Sequence, residues 1–250
     1  MIKQLTCLLC ALGLVSGQSV MAAEILVWGN QSSQDDVVNF LQSSGHSVTD
    51  NGSTIPDAGD LSGVDVAILL RSTGNNDVEN WVQAGGCLIT EWTGADWALN
   101  SGNLLDAGVS GGGIVGTDTP VTVTADGIAA GLADGITNPY SAGPASEFFR
   151  NFTGIGPSVS IMATRPTDVP AILGGPSGGG LVLANGIDWA DVGFNGADNR
   201  QLLLNSVENF CGGARRAPEP VPGLSSLGLA ALVGLTGLLA AFMLRRRYHA

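Results

Sequence analysis

Apolar runs alternate with segments of helical periodicity along the first half of the chain. Near-continuous apolar runs are typical of parallel strands that are covered on both faces. These runs, and a shorter one after the first helix, predict strands at residues 24–30, 46–49, 65–70 and 87–92. Apolar residues at helical spacing predict helices at 33–45, which ends at Gly45, and at 76–84, which is followed by two glycines. Because strands and helices alternate, we expect right-handed βαβ units and a doubly wound α/β sheet.

The second half of the chain is less regular. Alternating polar and apolar positions predict strands at 121–124 and 158–164. Two further apolar segments, 171–173 and 181–185, flank a glycine-rich turn and indicate a hairpin. A final amphipathic helix is predicted at 199–210. No internal repeat is apparent.

The N-terminal segment has the features of a cleavable signal peptide. Lys3 supplies a positive charge, residues 5–15 are apolar, and small residues follow at 20–23. We therefore predict a signal peptide at 1–23, with cleavage after Ala22 or Ala23, and export of the remaining chain. An uncleaved anchor is the alternative, although the apolar stretch is short for a membrane span.

The C-terminal segment predicts a transmembrane helix at 223–250. No charged residue occurs from 223 to 244, and these 22 positions can cross a hydrocarbon core of about 30 Å. Arginines at 245–247 follow the span and favour a cytoplasmic end. Residues 214–222, which include three prolines, form a linker between this helix and a single domain predicted at 24–213.

The charge of the predicted domain excludes one class of partner. Residues 24–213 contain four arginines and 21 acidic residues, a net charge of about −17 with histidine neutral. A surface of this sign repels phosphate backbones, so we expect no nucleic-acid binding.

Two cysteines remain after the predicted signal peptide, Cys87 and Cys211. An isolated pair in an oxidising compartment most often forms a disulfide, which would join a central strand to the last helix. Two buried free thiols are the alternative, because no spacing rule fixes the pairing.

The C-terminal segment also carries a short motif before the apolar span. The motif and its basic end comprise Val221, Pro222, Leu224, Ser225, Gly228, Arg245, Arg246 and Arg247. Their order resembles the IPTL-CTERM sorting signal of Gram-negative bacteria, a relative of PEP-CTERM, although glycine and leucine stand at 223 and 227 where that family has threonine and tryptophan. The resemblance implies an exosortase-type partner at the inner membrane, cleavage near the motif, and delivery to the cell surface. A plain C-terminal anchor is the alternative.

The domain resembles the class I glutamine-amidotransferase-like family, whose fold is flavodoxin-like. The segments that carry the resemblance are 25–30, 61–66, 82–86, 178–182 and 200–205. The chemistry of that family needs a cysteine nucleophile at a strand-to-helix elbow and a histidine base. Trp92 stands where the cysteine would be, and no histidine occurs between His46 and His249. We therefore expect no amidotransferase activity.

A ligand crevice is predicted where the strands end, because open α/β sheets bind ligands at the carboxyl ends of their strands. The candidate residues are Trp28, Asn30, Glu91, Trp92, Asp188 and Trp189. Tryptophans beside carboxylates suit a polysaccharide, and Glu91 with Asp188 could hydrolyse a glycoside if an open cleft separated them suitably. Alternatively, the tryptophans are packing residues.

No metal site or cofactor is predicted. Asp188, Asp191 and Asp198 could supply oxygen ligands to calcium, but their spacing is not that of an EF-hand. Residues 111–116 match a dinucleotide-binding pattern, but the segment that follows has the character of a strand rather than a helix.

Overall fold

The computed structural model describes residues 22–115, 120–142, 147–194 and 196–212. It contains a nine-stranded mixed sheet and a separate pair of strands. The strands are β1 (Glu24–Gly29), β2 (Ser47–Asp50), β3 (Val66–Leu70), β4 (Cys87–Glu91), β5 (Gly108–Val115), β6 (Pro120–Val123), β7 (Tyr140–Ser141), β8 (Glu147–Thr153), β9 (Ser160–Arg165), β10 (Val169–Ser177) and β11 (Gly180–Asn185). The helices are α1 (Gln34–Ser43), α2 (Asn76–Gln83), α3 (Thr93–Asp96), α4 (Ala125–Ala129), α5 (Asp191–Phe194) and α6 (Ala197–Asn205).

The main sheet has a parallel half and an antiparallel half. Its order is β2-β1-β3-β4-β11-β10-β9-β6-β7, and the first five strands are parallel to their neighbours. The remaining strands pair antiparallel, while β5 and β8 form the separate pair. The parallel half has the strand order of flavodoxin-like folds, with β11 in the fifth position. The predicted α/β fold with a parallel sheet core is therefore confirmed, and the antiparallel half extends that core.

Helices cover both faces of the parallel strands. On one face, Val37 and Leu41 of α1 pack in the same buried cluster as Leu202 of α6. On the other face, Val78 and Val82 of α2 pack against alternate residues of the same strands. Because both faces are covered, every residue of β3 and β4 is buried. This arrangement explains why these strands appear in the sequence as continuous apolar runs.

Several elements of the second half carry no clear sequence signal. Strand β5 contains the glycines at 111–113, so it shows no alternation of apolar and polar residues. Helix α3 is one turn long and continues into a π-helical turn at Trp97–Ser101. Helix α6 likewise continues into a π-helical turn at Ser206–Cys211. The sequence predicts this last helix but none of the shorter elements.

The two predicted membrane segments fall outside the described residues. The structure describes neither residues 1–21 of the predicted signal peptide nor residues 213–250, which include the linker and the sorting motif. Within the described part of the chain, no helix is both long and apolar enough to cross a membrane.

A disulfide joins Cys87, at the start of β4, to Cys211, in the π-helical turn after α6. The two cysteines are 124 positions apart, so the bond closes most of the domain into one loop. Both are buried, at 3% and 1% exposure. A cross-link over such a loop removes a large part of the conformational entropy of the unfolded chain.

We expect the double substitution Cys87→Ala with Cys211→Ala to lower the free energy of unfolding by about 4 kcal/mol, because the unfolded chain regains its loop entropy. Urea unfolding of the two proteins measures this difference. Reductant should destabilise the wild type by a similar amount and leave the double variant unchanged. Equal stability of the oxidised wild type and the double variant would contradict the expectation.

Candidate functional site

Polar side chains converge where four parallel strands end. Gln31 follows β1, Arg71 follows β3, Glu91 ends β4 and Asp188 lies just after β11. The chain passes from β1 through α1 to β2 on one side of β1, and then to β3 on its other side. This reversal of direction is the switch point at which open α/β sheets form their ligand crevices.

A sharp strand-to-helix elbow follows β4. Trp92 has φ 42° and ψ −108°, and α3 begins at the next residue. The backbone is held from both sides, since Trp92 N donates to Ile187 O at 3.2 Å and Ala95 N donates to Trp92 O at 2.9 Å. A strained turn from strand to helix is the setting in which hydrolases present a nucleophile. Here the turn presents an indole ring.

Arg71 connects the elbow to a buried carboxylate. One guanidinium nitrogen forms an ion pair with Asp188 Oδ2, and the same nitrogen lies 3.8 Å from Asp191 Oδ2. The guanidinium carbon lies 4.4 Å from the centroid of the Trp92 ring, a cation–π distance. The Asp188 side chain is fully buried, whereas those of Arg71 and Asp191 are each about one-third exposed.

Gln31 links the two buried carboxyl groups. Its side-chain nitrogen donates to Asp188 Oδ1 at 3.1 Å and to Glu91 Oε1 at 3.5 Å. Its side-chain oxygen accepts from Ser32 N at 2.9 Å, which fixes the orientation of the amide. Because one nitrogen donates to both carboxyl groups, Gln31 holds Glu91 and Asp188 close to each other.

The surroundings of Glu91 favour its protonated form. Burial raises the pKa of its carboxyl well above the ordinary value, and a hydrogen bond to Asp188 and the charge of Asp188 raise it further. Arg71 and Gln31 act in the opposite direction without cancelling the rise. A proton on Glu91 turns an acceptor-only group into a donor to the Asp188 carboxylate. One negative charge thus remains in the pair, and Arg71 neutralises it.

Two of the predicted crevice residues are part of the core, which corrects the prediction that they line a site. Trp28 and Trp189 are 0% and 3% exposed. The Trp28 indole N–H donates to Thr73 O at 3.0 Å, and that of Trp189 donates to Thr90 O at 3.1 Å. Their rings fill the space between sheet and helices, and their polar atoms are satisfied by backbone carbonyls, so neither ring is available to a ligand.

The other predicted crevice residues are divided between two places. Glu91, Trp92 and Asp188 lie together at the elbow, and of these only Trp92 is accessible, being half-buried. Asn30 is exposed and lines a separate shallow depression of about 380 Å³, with Asp50 and Ser53 among its walls.

The geometry that glycoside hydrolysis requires is not present. A hydrolase needs its two carboxyl groups on either side of an open cleft, with room for a sugar ring. Glu91 and Asp188 are 0% and 1% exposed, and the side-chain nitrogen of Gln31 donates to both of them. Because Arg71 also pairs with Asp188, neither group can reach a glycosidic bond.

The described residues do not assemble a metal site. No group of three or more histidine, cysteine, aspartate or glutamate side chains in this part of the chain is arranged to hold an ion. The three aspartates considered as calcium ligands interact with other groups. Asp188 and Asp191 contact Arg71, whereas Asp198 interacts electrostatically with the Tyr140 phenol. Burial, and after it the charge of Asp198, raises the pKa of the Tyr140 phenol.

Sequence reasoning missed two members of the site, Gln31 and Arg71. Each directly follows a buried strand, at the position where a parallel sheet exposes its carboxyl end. Arg71 is also one of only four basic residues between 24 and 213. An isolated arginine after an apolar strand, in a domain with so many acids, was the signal that could have identified it.

Comparisons with known proteins support the fold. No protein-family model matches the chain, and no curated protein sequence matches it. Among solved structures, the chain is similar to a protein from Thermoplasma acidophilum that is described as part of a GMP synthase. The TM-score is 0.55 and the identity 13%, over 78% of this chain and 96% of that protein.

The chain is also similar to part of a β-galactosidase from Bacillus circulans sp. alkalophilus. The TM-score is 0.51 and the identity 14%, over 76% of this chain but only 31% of the galactosidase. At these identities both likenesses concern the fold alone, a flavodoxin-like α/β fold.

We expect Glu91→Gln to change how stability depends on pH. The glutamine amide can donate to Asp188 as the protonated carboxyl does, but it does not titrate. Above about pH 4.3 the unfolded wild type loses the Glu91 proton while the folded protein keeps it. The free energy of unfolding of the wild type should therefore fall relative to that of Glu91→Gln, by about 1.4 kcal/mol per pH unit until the folded pKa is reached.

Urea unfolding of both proteins between pH 4 and pH 9 measures this difference. Glu79→Gln is the control, because it removes a carboxyl from α2 without touching the buried pair. Parallel stability curves for the wild type and Glu91→Gln would show that the buried carboxyl does not retain its proton.

Proposed function

We propose that this protein is an exported, non-catalytic surface module that binds carbohydrate and is sorted by its C-terminal segment. The observation that carries the proposal is the side chain at the elbow. Trp92 occupies the position of a nucleophile, and Arg71 is stacked on its ring while paired with Asp188. A hydrolytic or amidotransferase mechanism would need a nucleophile or an accessible carboxylate there.

The accessible groups at the elbow suit a hydroxyl-rich ligand. Trp92 and the exposed parts of Arg71 and Asp191, which we call the elbow surface, place an aromatic edge beside a guanidinium and a carboxylate. The guanidinium donates and the carboxylate accepts hydrogen bonds, which is the combination that sugar hydroxyls need. The similarity to part of a β-galactosidase supports only the fold, so this ligand class rests on the side chains.

The delivery part of the proposal rests on the sequence. The signal peptide at 1–23 accounts for export and is consistent with the Cys87–Cys211 disulfide, since disulfides persist in oxidising compartments. The motif at 221–228 and the arginines at 245–247 resemble an IPTL-CTERM signal. We therefore propose a membrane-anchored precursor that an exosortase-type enzyme cleaves before release to the cell surface of a Gram-negative bacterium.

We expect the processed protein to bind at least one immobilised glycan and Trp92→Ala to bind it about tenfold more weakly. The reason is that this substitution removes the ring that orients Arg71 and contacts the ligand. A glycan array followed by titration of each positive glycan gives the dissociation constants. Trp81→Ala on α2 is the matched control, because it removes another partly buried tryptophan away from the elbow. Failure to bind any glycan would eliminate the carbohydrate proposal.

We expect the native protein to lack most of its residues after 222, because the sorting enzyme cleaves near the motif and discards the apolar span. Mass spectrometry of the C-terminal peptide, from hosts with and without an exosortase-type enzyme, measures this cleavage. A full-length C-terminus in both hosts would reduce the sorting signal to a plain membrane anchor.

A further inference from the structure

The backbone of Ala23, the residue directly before β1, is held on both sides. Ala23 N donates to His46 Nδ1 at 3.2 Å, and Ala23 O accepts from Ser47 N at 3.0 Å. The side chain of Ala23 packs against the buried cluster on the α1 face of the sheet. Ala22 and Ala23 both precede β1, but Ala22 is exposed whereas Ala23 is partly buried. The ordered structure of the domain therefore includes Ala23.

His46 Nδ1 can accept a hydrogen bond from the Ala23 nitrogen, whether that nitrogen belongs to a peptide bond or to a free α-ammonium group. Its side chain is 2% exposed. Because Nδ1 accepts a hydrogen bond, a neutral ring carries its hydrogen on Nε2, which faces Glu208 Oε1 at 3.6 Å. An α-ammonium group at Ala23 would donate to Nδ1 more strongly than a peptide N–H does, since a charged donor strengthens a hydrogen bond.

The neighbouring peptide bond is a competing site for processing, and the structure argues against it. Glu24 N donates to Asp65 Oδ2 at 2.9 Å, so a new terminus at Glu24 would also have a partner. Cleavage there, however, would remove Ala23 and deprive both His46 Nδ1 and Ser47 N of the partners described above.

The sequence of the signal peptide also favours cleavage at the Ala22–Ala23 bond over cleavage at the Ala23–Glu24 bond. Signal peptides have small residues at the last position and at the third position from their end. Cleavage after Ala22 places Val20 at the third position, whereas cleavage after Ala23 places the longer Met21 there.

We propose that the leader is removed at the Ala22–Ala23 bond and that His46 binds the α-ammonium group this hydrolysis creates. This inference rests on the export proposed above. A membrane-bound signal peptidase hydrolyses this bond with one water molecule. The amide C–N bond breaks, and the water oxygen bonds to the Ala22 carbonyl carbon to form a carboxylate. Both protons of the water pass to the Ala23 nitrogen, which becomes an ammonium group. The new terminus then lies directly before β1, with its nitrogen hydrogen-bonded to His46 Nδ1.

The composition of the chain gives this proposal a simple assay. Lys3 is the only lysine, and it lies in the leader. After cleavage the α-amine of Ala23 is therefore the only primary amine in the protein. We expect a succinimidyl ester to attach one label to the protein purified from its host, and N-terminal sequencing to read Ala-Glu-Ile-Leu-Val.

The possible outcomes separate the two proposals. One label with a terminus at Glu24, or at any residue before Ala23, overturns the processing site and leaves export intact. Labels on both Met1 and Lys3 in every molecule show that the leader is retained, which overturns the export proposal and this inference together.

The role of His46 is tested by the rate at which the amine is labelled. We expect the α-amine of the native wild type to react about fivefold more slowly than in His46→Leu, because its hydrogen bond to Nδ1 must break first. His46→Asn, whose side-chain oxygen can replace Nδ1 as an acceptor, should restore most of the protection. Equal rates in the three proteins would overturn this role. If His46→Leu does not fold, native and urea-unfolded wild type give the same comparison, and equal rates there have the same meaning.

Discussion

The elbow region depends on how the fold neutralises the buried carboxylate of Asp188. A carboxylate without solvent is strongly destabilising unless a cation and hydrogen-bond donors compensate for its lost hydration. Arg71 supplies the cation from the end of β3, and Gln31 supplies a donor from the end of β1. These contacts tie the ends of three neighbouring segments together. Burial and the neighbouring Asp188 raise the pKa of Glu91, and in its protonated form the second carboxyl supplies a hydrogen-bond donor without adding a charge.

This arrangement separates the fold from the chemistry usually associated with it. A catalytic carboxylate has to be accessible and free to exchange a proton with a substrate. In this protein both carboxyl groups are buried in a hydrogen-bonded network, and the partly exposed Arg71 pairs with Asp188 while it stacks on Trp92. The perturbed pKa of Glu91 is therefore the result of structural burial. A strongly shifted carboxyl in an α/β crevice would otherwise be a reason to propose catalysis.

The sequence predicts the parallel half of the sheet well and the elbow poorly. Strands such as β3 and β4 are covered on both faces, so their burial appears directly as an apolar run. Strand β5, rich in glycine, has no comparable pattern, because its position depends on pairing with β8, which is distant in the chain. The crevice prediction found the right edge of the sheet but could not distinguish Trp28, which points into the core, from Trp92, which does not. That difference depends on side-chain direction at the end of each strand, and neither composition nor spacing encodes it.

The backbone at Trp92 is strained although the residue is not a nucleophile, and packing explains the strain. A positive φ at a residue other than glycine costs on the order of 1–2 kcal/mol, so the surrounding structure has to impose it. Helix α3 lies so close to β3 that a Cβ at Gly94 would come within 2.9 Å of the Leu69 side chain. The chain can enter this position from β4 only by turning sharply at the preceding residues. The sharp turn at Trp92 thus goes with the close packing of α3 on the sheet, and this packing does not depend on a nucleophile at the turn.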